Sequence, residues 1–77
     1  MEINITQHDV VTYEIMCLHD FIAGAKTIRL MEDYYSQLNG MLDLARSLDI
    51  ISLEEYILIF KHIRNTMANK ILKEGWD

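Results

Sequence analysis

The stretch from Ser52 to Lys73, SLEEYILIFKHIRNTMANKILK, constrains the fold more than any other, because it carries a start signal, a long apolar stripe and a stop. Ser52 followed three residues later by Glu55 is a capping box: the hydroxyl accepts from the N3 amide, and the carboxylate reaches back to the cap's own amide. Ile51 and Tyr56 are spaced for a hydrophobic staple across that start. Glu54 and Glu55 stand at the positive end of the helix dipole and Lys70 and Lys73 at the negative end, each placement stabilising by roughly 0.3 to 1 kcal/mol. Gly75 marks the finish. One helix over about 53 to 73 is the expectation.

The rest of the chain has few places to turn, with no proline and three glycines in 77 residues, which favours long helices. Thr6 with Asp9 resembles a capping box with the shorter acid and opens a helix over about 7 to 23, with Val11, Ile15, Leu18, Ile22 and Ala25 on one face. A further helix, over about 28 to 48, shows two apolar seams side by side. One runs Leu30, Tyr34, Met41, Leu44, Leu48, interrupted only by Gln37; the other runs Met31, Tyr35, Leu38, Leu42, Ala45. The polar stripe Glu32, Ser36, Asn39, Asp43, Arg46 keeps its phase across Gly40, which therefore stays inside the helix at a cost of about 1 kcal/mol relative to alanine; close approach of a neighbouring helix is the expected reason. A series from Cys17 to Ala45 at spacings of four and three would also suit one long helix. Gly24 as a C′ residue and Thr27 as a cap favour a break. Residues 1–6 read as an extended arm.

The expected fold is all-α: a single domain over 1–77, a small three-helix bundle whose last two helices form an antiparallel hairpin through the tight connection at Asp49 to Ile51. Its expected core is Val11, Ile15, Leu18, Leu30, Tyr34, Leu38, Leu48, Ile57, Phe60, Ile63, Met67 and Ile71.

Several function classes find no support in the residues. A net charge of −5 with scattered basic residues disfavours nucleic acid and anionic membrane surfaces, which need clustered Lys and Arg. No segment approaches 18 uninterrupted apolar residues and the start lacks a basic n-region, so a cytoplasmic location is expected. Cys17 cannot form an internal disulfide, and its helical neighbours Tyr13, Glu14, Asp20 and Phe21 offer no positive charge to activate it. His8 and His19 share a helical face but stand about 16 Å apart along the axis, and His62 has Leu58, Asn65 and Thr66 as its helical neighbours. The pairs Glu32-Asp33 and Glu54-Glu55 project in different directions and suit dipole partnership better than acid-base work. No phosphate loop, nucleophile elbow or zinc spacing occurs. No catalytic, cofactor-binding or metal residue is assigned, and an enzyme is not expected.

The apolar fraction of 51% is high for a chain with so small an interior, which points to a partner. The expected contact residues are Met31, Tyr35 and Leu42 of the second seam, Leu58 on an otherwise polar stripe, and Trp76, whose other expected course is to pack back on the fold. The function this implies is a non-enzymatic protein-binding module, a regulator, adaptor or inhibitor, and self-association as a two-fold dimer through the second seam is expected. The alternative rests on Ala45 to Ile59, ARSLDIISLEEYILI, which resembles a helix-turn-helix: a small residue, leucine three on, a turn, and a buried aliphatic before the recognition helix. That resemblance implies a dimeric transcriptional regulator. It departs in having Asp49 for the turn glycine, one extra residue before Ser52, and Glu54 and Glu55 where DNA would lie. Length and acidity are also similar to acyl carrier proteins, but their attachment serine follows an aspartate and begins a helix, whereas Ser47 follows Arg46 and ends one.

Overall fold

Each helix begins where a side chain can take its first free amides. In the computed structural model, which describes residues 5–76, the helices are α1 (Gln7–Ala23), α2 (Ile28–Ser47) and α3 (Leu53–Glu74), with no strand among the described residues. Residues 1–4 of the expected arm lie outside the described residues. At α1 the Asp9 amide donates to the Thr6 hydroxyl (3.1 Å) and the Thr6 amide to the Asp9 carboxylate (3.2 Å). At α3 the Glu55 amide donates to the Ser52 hydroxyl (3.1 Å) and the Ser52 amide to the Glu55 carboxylate (3.0 Å). Thr27 caps α2 by accepting from the Leu30 amide at 3.1 Å. The helices are thus three and separate, broken at residues 24–27.

The ends close differently from the simple glycine rule. Gly24 ends α1 at φ −93°, so its left-handed freedom is not used. The left-handed residue after α2 is Asp49, at φ 56°. Around it the Asp49 amide donates to the Arg46 carbonyl (3.1 Å) and the Ile50 amide to the Ala45 carbonyl (2.9 Å), the paired bonds of a Schellman closure. Asp49 also accepts from the Arg46 guanidinium at 2.8 Å. At the end of α3, Gly75 does adopt φ 71°, and the Trp76 amide donates to the Ile71 carbonyl at 3.0 Å. Trp76 folds back against the core, with Lys70 Nζ 5.4 Å from its ring centre.

Polar contacts tie α1 to α3 in a constant register. His8 Nε2 meets the Glu55 carboxylate at 2.7 Å, His19 Nε2 meets the Thr66 hydroxyl at 2.8 Å, and Lys70 donates to the Ala23 carbonyl at 2.8 Å, each pair 47 residues apart. Two helices joined at one fixed offset run side by side in the same direction. The closest helix packing is between α1 and α2; α2 meets α3 through the Tyr56 hydroxyl, which donates to Asp43 at 3.0 Å. That carboxylate pushes the Tyr56 phenol up.

The buried core joins Ile15, Leu18, Ile22 and Ala25 with Met31, Leu38, Leu42 and Ala45 of α2, plus Ile51 and Ile63. It corrects the expected orientation of α2. The second seam faces inward, with Leu38 at 0% and Met31 and Leu42 at 1% exposure, while Leu30 and Leu48 of the first seam are exposed, as is Ile57. Gln37 supplies the reason: turning the first seam inward would bury an amide without a partner, at roughly 1 to 3 kcal/mol, whereas the second seam is unbroken by polar residues. Gly40 is a further correction: among the described residues no neighbouring helix comes within 4 Å of where its Cβ would stand.

Two predictions follow from the caps. Asp49→Val should lower stability to urea by about 1 to 2 kcal/mol, because a β-branched side chain is strained at positive φ, while Asp49→Gly should stay within about 0.5 kcal/mol of the parent; equal losses would place the cost in the Arg46 pair instead. The Ser52 amide, followed by His8, holds the Glu55 carboxyl below the usual carboxylate range. A depressed pKa gives stability that is complete above the unfolded-state value and lost as pH falls through the folded-state value. Glu55→Gln should therefore flatten the fall in melting temperature on acidification below about pH 4.3. Parallel curves for parent and variant would contradict it.

Candidate functional site: an apolar groove and an open helical face

Because α1 and α3 keep one register, the residues just outside their contact line up as two walls. Met16 and Asp20 on α1 face Leu58 and His62 on α3 across a groove of about 370 Å³, floored by Ile15, Ile59 and Ile63. Met16 and Leu58 are both largely exposed, at 65% and 67%. The rim is polar. The rings of His19 and His62 stack with centroids 4.7 Å apart and planes 24° from parallel, and His19 Nδ1 stands 3.9 Å from the Asp20 carboxylate.

The histidine pair was not legible in the sequence, where His19 and His62 have no shared neighbours and only the register of α1 on α3 brings them together. His19 Nε2 is engaged by the Thr66 hydroxyl at 2.8 Å. Among the described residues no group of three or more His, Cys, Asp or Glu side chains is placed to hold a metal ion, and none of the buried residues is polar or charged. What the groove offers is apolar contact with a few hydrogen-bonding groups at its edge.

A second apolar surface lies on α1 and α2, away from α3. The rings of Phe21 and Tyr34 stack across the two helices at 5.4 Å. Leu44 and Leu48 extend this surface along α2, each 61% exposed, and Val10 and Tyr13 extend it along α1. Cys17 lies partly buried on the same stripe, beside Tyr13, whose phenol it pushes up.

The five expected contact residues are separated by the fold. Met31 and Leu42 are in the core and are not available to a partner. Tyr35 is half-buried beside Arg64, Met67 and Ile71 of α3, and Trp76 is half-buried where α3 closes. Leu58 alone stands exposed, in the groove. Met16, its counterpart, has the signal that singled out Leu58, an apolar residue outside the buried face of its own helix. In the 45–59 segment, Leu53, Glu54 and Ile57 are exposed, while Glu55 is held by Ser52 and His8. Comparison of the chain with protein-family models, with curated proteins and with solved structures finds no match in any of the three.

Proposed function

We propose that this chain is a non-enzymatic protein-binding module of the cytoplasm, a regulator, adaptor or inhibitor, in which α2 and α3 form an antiparallel hairpin and α1 completes a groove for a partner protein. The observation that carries the reading is the groove between α1 and α3, with Met16 and Leu58 exposed on facing walls above an isoleucine floor. Exposed methionine and leucine opposite one another suit the apolar face of a partner helix, which docks through side chains one turn apart. The His19, His62 and Asp20 rim supplies polar groups that would orient such a helix without dominating its affinity. Net charge of −5 favours a partner with basic residues beside its apolar stripe.

The regulator reading through residues 45–59 places Glu54 at the start of the helix that would meet DNA, where its charge opposes phosphate. The two functions separate in one set of experiments. Immobilised parent chain should retain a protein from an extract of its native host that Leu58→Glu and Met16→Glu each retain at least about tenfold less, since a carboxylate in an apolar contact removes a hot spot. Both side chains are exposed, so the variants should keep the parent's helical circular dichroism. Equal retention by all three chains would mean that the partner does not bind in the groove. Salt-sensitive, sequence-selective gel shifts with genomic DNA would overturn the protein-binding reading itself.

A further inference from the structure

We infer that His62 is a proton-operated gate on the α1–α3 groove: it stacks on His19 while at most one of the two rings is charged, and swings off into solvent, widening the groove, when both are. The proton response belongs to the chain alone; its use, regulation of what the groove binds, rests on the reading of that groove as a binding site. All three histidines of the chain lie where α1 meets α3, and imidazole is the side chain that ordinarily changes charge between about pH 5 and 8. Their surroundings differ. His8 meets a carboxylate, Glu55, at 2.7 Å, whereas His19 meets a second imidazole, with ring centres 4.7 Å apart.

Hydrogen bonds fix where protons sit on His19. The Thr66 hydroxyl has one proton, which it donates to the His62 carbonyl at 3.1 Å. Its oxygen therefore accepts from His19 Nε2 at 2.8 Å, so the uncharged His19 ring carries its proton on Nε2 and its lone pair on Nδ1. A proton added to His19 lands on Nδ1, 3.9 Å from the Asp20 carboxylate. That carboxylate compensates the new charge, modestly because Asp20 is largely exposed. The bond to Thr66 survives, since Nε2 donates in both forms of the ring. His19 is thus the fixed half of the stack.

His62 is the free half. It is exposed, and its ring accepts or donates no hydrogen bond among the described residues. The ionisable side chains lining the groove are His19, Asp20 and His62, and α2 contributes none, so two bases face one acid. From Leu58 to Thr66, a turn either side of His62, α3 carries no carboxylate and has the cations Lys61 and Arg64. A proton on His62 therefore sets like charges against each other across the stack, with Asp20 already serving His19. Rotation of the His62 side chain relieves this without moving α3. The flanking contacts keep the helices in register: charging His8 turns its contact with Glu55 into an ion pair, and Lys70 holds the Ala23 carbonyl at 2.8 Å. What opens is the wall one turn beyond Leu58, opposite Asp20.

Nuclear magnetic resonance of the histidine rings in the isolated chain, followed from about pH 8 to about pH 5, tests the gate. At the upper end the nitrogen shifts should place the His19 proton on Nε2, and cross-peaks should join the rings of His19 and His62. At the lower end both rings should be charged and those cross-peaks lost, with helical circular dichroism retained. The His19 shifts should move in two steps in the parent, because each ring senses the other's charge, and in one step in His62→Gln. A His19 proton on Nδ1 at the upper end, cross-peaks that persist with both rings charged, a His62 ring still uncharged at the lower end, or a His19 response identical in parent and variant would each overturn the proposal. So would loss of the helices on acidification, a global change in place of a local one. No partner enters the measurement, so a working gate in a chain whose retention is indifferent to Met16→Glu and Leu58→Glu would leave this inference standing and remove the binding reading alone.

Discussion

Burial of the unbroken seam of α2, Met31 to Ala45 through Leu38 and Leu42, is the interaction on which the rest of the structure depends. It places the broad core stripe of α1 against one side of α2 and leaves Ile51 and Ile63 to close it from the other. Full burial of such side chains is worth about 1.5 to 3 kcal/mol each, large beside the total stability of a small domain. Once that seam is inside, Leu30, Gln37, Leu44 and Leu48 of the parallel seam stand outside, while Tyr34 and Met41 are half-buried against the edge of the core. The exposed apolar face thus results from how the core is chosen.

The caps hold this arrangement in phase. Thr6, Thr27 and Ser52 fix where each helix starts, and a shift of one residue would rotate a helical face by about 100°. Asp49 performs the matching task at the end of α2, turning the chain so that Ile50 and Ile51 return to the core. Glu55 serves two roles, completing the α3 cap and receiving His8 from α1. Local helix signals and the register of α1 on α3 therefore converge on one carboxylate.

Much of the fold was legible because its signals are local. Capping boxes, a Thr27 cap and the scarcity of glycine determine three helices within a residue or so of their ends. The direction each seam faces was less legible, since both seams of α2 share spacing and composition; periodicity gives the phase of a stripe, and only competition with the other helices decides which stripe is buried. Gln37 was the available clue, read as a mere interruption. The His19 and His62 stack and the Met16 and Leu58 walls depend on the 47-residue register, which no local pattern encodes. Gly40, assigned to a close helix contact, has open space above it. Trp76, for which packing back and partner contact were both open, packs back where α3 closes.

The inner face of α2 is the seam without Gln37. Methyl cross-relaxation in solution tests it most directly, using one labelled chain diluted into unlabelled chain so that only contacts within a copy are seen. Leu38 and Leu42 should show cross-peaks to isoleucines of α1 and α3 within the core. Leu30 and Leu48 giving those cross-peaks in place of Leu38 and Leu42 would mean that the other seam is buried.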